Sequence, residues 1–141
     1  MGNEINAGIL YPVGEISVNG FQPVSILLHS AIDGAKAAGF NGKILIHLAN
    51  GWDWEDLSFF FSNIFIPGAL TPSDVDLFGV SFYPFYDAGA TLDALNSSLT
   101  HLAHTYRKQI IVAETDWPVA CPNSMISEPS IPISVAGQQI W

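Results

Sequence analysis

The chain has 141 residues and a formal net charge of -9, with Lys36, Lys43, Arg107 and Lys108 as its only Lys or Arg side chains. That balance excludes the partners that select for Lys and Arg, namely nucleic-acid phosphates and anionic membrane surfaces. A neutral polymer such as a polysaccharide stays compatible, while the 49% apolar content excludes a disordered segment.

Met1 is followed at once by polar Gly2, Asn3 and Glu4, so no signal-peptide pattern opens the chain. The first candidate strand is reduced to the few residues before Glu4. Residues 24–38 carry apolar side chains at helical spacing, and Gly39 with Gly42 supplies a stop signal. The run 43–48 (KILIHL) reads as a buried strand. Residues 54–64 form an aromatic helix candidate, closed by Pro67 and Gly68. A second strand candidate covers 75–83 (VDLFGVSFY). Residues 91–106 then set Leu92, Leu95, Leu99, Leu102 and Tyr106 on one helical face, with Thr91 as N-cap. A third strand candidate covers 109–114 (QIIVAE), and residues 133–141 open a last helix. Each strand run is short, β-branched or aromatic, and apolar on both faces, the pattern of a parallel sheet covered on both sides. No apolar run is long enough to span a bilayer.

The order is β-α repeated. Glu4, His47, Tyr83 and Glu114 mark the strand ends at intervals of roughly 30–45 residues, which suits successive βαβ units laid side by side by right-handed crossovers. An open doubly wound sheet and a closed barrel both fit this alternation. The barrel is favoured because no strand is followed by a glycine-rich phosphate loop. Each strand also ends in a polar or aromatic residue and a long loop, as at the C-terminal face of a barrel. A full barrel takes about 250 residues, so the expectation is a partial one, α/β in class, with residues 1–141 as a single domain. No internal linker or repeat divides it.

Glu4 and Glu114 occupy matching positions, each at a strand end and three strands apart. Glycosidic cleavage needs two carboxyl groups flanking the bond, one to protonate the leaving oxygen; in retaining enzymes the other attacks the anomeric carbon. A strand-end Glu taken alone is more often a solvated loop acid. His47, alone in an apolar strand and without metal-ligand neighbours, is more often a hydrogen-bonded core residue, so no metal or other cofactor is expected. Trp52 either stacks on a sugar ring or caps the core, beside Asp53 and Trp54 in the same loop. Trp117, just past Glu114, is the stronger stacking candidate, while Phe85 and Tyr86 either line the cleft or pack. Cys121 is the only cysteine, either idle or paired outside this chain. Asn96-Ser97-Ser98 is an N-glycosylation sequon whose mid-helix position argues against its use.

Five stretches carry a family resemblance: GNEINAG at 2–8, IHLANGWDW at 46–54, GVSFYPFY at 79–86, VAETDWPV at 112–119 and SIPISVAGQQ at 130–139. In order and spacing they resemble the endo-β-1,4-galactanases of glycoside hydrolase family 53, in clan A, the fungal type most closely, over essentially the whole chain. The resemblance implies a (β/α)8 (TIM) barrel from the end of its fourth strand through the seventh and the following helix, with the rest of the barrel absent. It implies Glu4 as acid/base, Glu114 as nucleophile, Asn3 on the substrate 2-hydroxyl and Tyr83 donating its hydroxyl to Glu114. Trp52, Asp53 and Trp117 are the further substrate contacts. The family commonly has an acidic residue where Ala49 stands, a departure that puts one sugar contact in question. The implied substrate is β-1,4-galactan or type I arabinogalactan, the implied location extracellular, and the implied cofactor none; calcium, bound by some bacterial members, has no ligand cluster here.

Two other readings stay open. One is a different clan A hydrolase, a mannanase or glucanase, against which the GWDW and SFYPFY segments argue. The other is a catalytically silent piece with exposed strand edges that self-associates.

Overall fold

The computed structural model describes residues 2–120 and 126–141. Cys121 lies outside the described residues. Three parallel strands form the main sheet in the order β3-β4-β5: β3 (Leu45–Leu48), β4 (Leu77–Phe82) and β5 (Gln109–Thr115). Two crossover helices join them, α3 (Trp54–Ile64) between β3 and β4 and α4 (Leu92–Tyr106) between β4 and β5. Helix α2 (Phe21–Ala37) leads into β3, and α5 (Val135–Ile140) closes the chain.

Local chemistry sets most boundaries. Helix α3 starts at Asp53, whose carboxylate accepts from Asp56 N at 3.1 Å, and Glu55 and Asp56 suit the positive end of the helix dipole. Helix α4 starts at Thr91, which accepts from Ala94 N, and stops at Arg107 in the left-handed region. Past the end of α2, Gly39 takes a φ of 81, a conformation that a side chain disfavours. Ser134 caps α5 through Gly137 N.

One face of the sheet is apolar. Ile46, Leu48, Phe78, Val80 and Phe82 are buried, and Ile110 and Val112 pack beside them. They meet Val24, Leu28 and Ile32 of α2, Leu57, Phe60, Phe61 and Ile64 of α3, and Leu95 and Leu102 of α4. Phe61 stacks on Phe78 at 4.1 Å between ring centroids; deleting such a buried ring costs about 3–5 kcal/mol.

The other face differs from expectation. Ile111, which pairs with Gly79 and so lies opposite the helix-covered face, is 46% exposed. Strand β5 alternates exposed and half-buried residues along its whole length. Among the described residues, the helices cover one face only. The apolar reading of the second face came from Leu45, Leu77 and Ile111; the register sets Leu45 beside Leu77, while Ile111 stands between Gln109 and Glu114 along β5.

The N-terminal segment also differs. Among its described residues no strand precedes Glu4; a 3-10 turn, Ile5–Ala7, follows it. A two-stranded antiparallel ladder, β1 (Gly8–Ile9) with β2 (Gly14–Glu15), comes next, then the single turn α1 (Ile16–Asn19). A Cβ on Gly8 would lie 1.8 Å from the Gly14 carbonyl oxygen, so this ladder closes only on glycine.

Candidate active site

The register of β4 and β5 decides where Glu114 points. Val80 pairs with Val112, but Ser81 pairs with Glu114, so the ladder skips Ala113. Residues paired across a parallel ladder share a face. Without the extra residue Glu114 would pair with Phe82 and turn towards the helices. The bulge at Ala113 moves it to the open face, beside Ser81 and His47. Bulges that re-aim one side chain are concentrated next to active sites.

On that face two groups meet one carboxylate, and a third stands behind one of them. The Tyr83 hydroxyl donates to Glu114 Oε2 at 3.0 Å. His47 Nδ1 stands 3.8 Å from Glu114 Oε1, and its Nε2 is 2.9 Å from Ser81 Oγ. His47 and Ser81 are buried, while the Glu114 side chain is 37% exposed. The carboxylate is thus held from below and open above. The Tyr83 phenol is raised above its ordinary value. The hydrogen bond to Glu114 is the main cause; burial adds to it, as do the charges of Glu114, Tyr86 and Glu4. Tyr83 therefore stays a donor across the whole neutral range.

The charge of Glu4 also reaches this phenol, as the smallest of these influences. Glu4 is half-buried and has a φ of 45 and a ψ of 59, uncommon for a residue with a side chain. A polar bridge holds its segment to the end of β3. Ala49 N donates to Asn6 Oδ1 at 2.7 Å, and Asn6 Nδ2 donates to Ala49 O at 3.5 Å. The Asn6 amide thus serves the backbone of Ala49 as a neighbouring strand would. Sequence reasoning gave no role to Asn6 or Ser81 and kept His47 as a core residue. His47 is indeed buried and hydrogen-bonded, yet it also faces Glu114.

The other expected contacts divide. Asn3 is exposed beside Glu4. Trp52 is half-buried and packs against the core, with its ring near Gly89. Asp53 caps α3. Trp117 departs from its expected stacking role: it is 1% exposed, lies 5.0 Å from the Trp141 ring and gives its indole N–H to Pro132 O at 2.9 Å. Its faces are occupied by protein. Tyr86 is the exposed aromatic near the site, 71% accessible and 5.1 Å from the Tyr83 ring. A separate recess of about 220 Å³, lined by Asn6, Ile16, Phe21, Asp56, Phe59 and Phe60, lies by α2 and α3 rather than at Glu114. Among the described residues no group of three His, Cys, Asp or Glu is placed to hold a metal ion, and no helix is long and apolar enough to cross a membrane.

The model of Glycosyl hydrolase family 53 matches residues 1–141. The chain is 49% identical to a probable arabinogalactan endo-β-1,4-galactanase A of Neosartorya fischeri, over 100% of this chain and 41% of that protein. It is 46% identical to the arabinogalactan endo-β-1,4-galactanase A of Aspergillus niger, over 99% of this chain and again 41% of the relative. A solved structure from a study of two fungal β-1,4-galactanases superposes with a TM-score of 0.92 at 45% identity, covering 99% of this chain and 43% of that one. The three parallel strands and their crossovers are accordingly part of a (β/α)8 barrel. The chain spans about two fifths of the length of the relatives it matches.

Proposed function

The chain belongs to glycosyl hydrolase family 53, and from that membership we propose that it carries the two catalytic carboxylates of a retaining endo-β-1,4-galactanase. Glu114 attacks the anomeric carbon while Glu4 gives its proton to the departing glycosidic oxygen. The C–O bond breaks and a glycosyl ester forms on Glu114. Glu4, now ionised, takes a proton from water; the water oxygen attacks the same carbon and releases Glu114. Tyr83 and His47 orient the Glu114 carboxylate, and Asn3 meets the sugar 2-hydroxyl. The substrate is galactan or type I arabinogalactan, met outside the cell, and no cofactor enters the reaction.

The 3.0 Å hydrogen bond from Tyr83 to Glu114 carries this reading. A carboxylate open to solvent on one side, with a half-buried phenol donating to one oxygen and a buried imidazole beside the other, is an arrangement that suits a nucleophile. A solvated loop acid would have no such support.

The same reading makes the isolated chain silent. A retaining pair stands about 5–5.5 Å apart; Glu4 stands on no strand of the described chain, and a closed barrel would supply the strand and neighbours that hold it at that distance. Among the described residues no further strand pairs with β3 or β5, and such edges favour pairing with a second copy. The test is to exchange residues 1–141 for the matching segment of the Aspergillus niger relative and measure reducing-sugar release from β-1,4-galactan. The exchanged enzyme should be active, the isolated chain inactive, and Glu114→Gln blank in both. Turnover of mannan or cellulose without galactan would replace this reading with another polysaccharide hydrolase. Activity of the isolated chain would overturn the geometric argument.

A further inference from the structure

Helix α4 carries a hydroxyl that the fold does not use. Ser98 is 0% exposed on the inner face of α4, and its Oγ has no hydrogen-bond partner. Several other helical hydroxyls of this chain bond the preceding turn. Ser58 donates to Glu55 O, Ser62 to Phe59 O and Thr100 to Asn96 O. A buried hydroxyl without a partner is unfavourable, and replacing it with an apolar group of the same shape is neutral or stabilising. Ser98 sits between Leu95 and Leu102, where a small residue lets α4 approach the sheet; alanine would meet that need. Packing therefore accounts for the size of residue 98 and not for its oxygen.

The residue two positions earlier supplies an account. Asn96 is exposed on the outer side of the same helix, and Asn96-Ser97-Ser98 is the one Asn-X-Ser/Thr triplet in the sequence. In such a triplet the hydroxyl of the third residue is required for transfer of a glycan to the asparagine. We propose that Asn96 is an N-glycosylation site, and that Ser98 keeps its hydroxyl for that transfer rather than for the fold. The donor is a lipid-diphosphate-linked oligosaccharide. Asn96 Nδ2 forms a bond to the anomeric carbon and loses one proton, and the bond from that carbon to the phosphate oxygen breaks, releasing the lipid diphosphate. A mid-helix position is no obstacle, because transfer acts on the extended chain before α4 forms. The finished helix then leaves the glycan in solvent, on the side away from Glu114 and the open face of the sheet. The proposal rests on the extracellular reading for its biological setting. Acceptor competence is tested separately, by directing the chain into a secretory pathway.

The experiment expresses the chain behind a secretion leader in a fungal host and analyses retained and secreted protein together by mass spectrometry, before and after enzymatic deglycosylation. The expected result is a glycan on Asn96, converted to aspartate on release, and none in Asn96→Gln or Ser98→Ala. A wild-type chain unmodified in both fractions would overturn the proposal. The second measurement compares the melting temperatures of unglycosylated wild type and Ser98→Ala made in bacteria. Ser98→Ala should melt at the same temperature or up to about 2–4 °C higher. A lower melting temperature would show that the hydroxyl serves the fold and would remove the reason for assigning it elsewhere.

Discussion

Glu114 and Glu4 are held by different means. Glu114 stands on β5, where a register fixed by β4 and one bulge sets its direction, where Tyr83 hydrogen-bonds one oxygen and where His47 stands beside the other. Glu4 stands on no strand of the described chain. Its place depends on a left-handed backbone and on the Asn6 amide bridging to Ala49. A ladder spreads positional control over many backbone bonds, while a side-chain bridge concentrates it in one residue. The nucleophile is therefore the better buffered of the two groups, and the acid/base the easier to misplace by a single substitution.

The sharpest break in that comparison comes from removing each carboxylate in the exchanged enzyme. Glu114→Gln should abolish hydrolysis of polymer and of aryl galactosides alike, because no glycosyl ester can form. Glu4→Gln should slow polymer cleavage by about 10²–10⁴-fold, yet spare ester formation from an aryl galactoside with a strongly acidic leaving group, which needs no proton. Equal failure on that substrate would mean that the roles are wrongly assigned.

Asn6→Ala comes next. It removes the bridge and should lower galactan turnover by about a hundredfold, the usual effect of misplacing a catalytic group by about 1 Å. The hydrogen bond between Tyr83 and Glu114 should survive it. If turnover is unchanged, the Glu4 segment is held by something other than Asn6.

A smaller effect is read on the Glu114 side. Tyr83 donates only while protonated, and Glu114 raises its ionisation above the ordinary phenol value. The contribution of this bond to stability is complete below about pH 10, the unfolded phenol value, and is lost as pH rises through the higher folded value. In an ultraviolet difference titration of the chain, Glu114→Gln should move one tyrosine midpoint downward. An unchanged titration curve would show that the bond is not formed in solution.

The smallest effect concerns Asp53. Asp53→Ala should destabilise the chain by about 1 kcal/mol through loss of the α3 cap, with turnover of the exchanged enzyme reduced only in proportion to the folded fraction. A selective rise in KM at unchanged stability would return Asp53 to the sugar-binding surface.

Strands β3, β4 and β5 were legible as unbroken apolar runs, and helices α2, α3 and α4 because each is long enough for its apolar spacing to show. The Thr91 cap was legible for a related reason, since it immediately precedes that period. The β1–β2 ladder was not, since two residues per strand carry no period. The bulge at Ala113 was hidden because the run is uniformly apolar from Ile110 to Ala113; the offset exists only relative to β4. Asn6 and Ser81 gave no signal, since their partners Ala49 and His47 lie 43 and 34 residues away. The burial of Trp117 depends on Trp141 and Pro132, which no local pattern connects to it. The pairing of Tyr83 with Glu114 was legible only through the family resemblance.

The central claim is that the bulge at Ala113 presents Glu114, and not Glu4, as the attacking carboxylate. A 2-deoxy-2-fluoro-galactoside with a good leaving group slows hydrolysis of the glycosyl ester and lets it accumulate. Incubation of the exchanged enzyme with this reagent, digestion and peptide mass mapping would locate the ester. The label should fall on Glu114 alone and be absent from Glu114→Gln. A label on Glu4, or full turnover with neither residue labelled, would contradict the account.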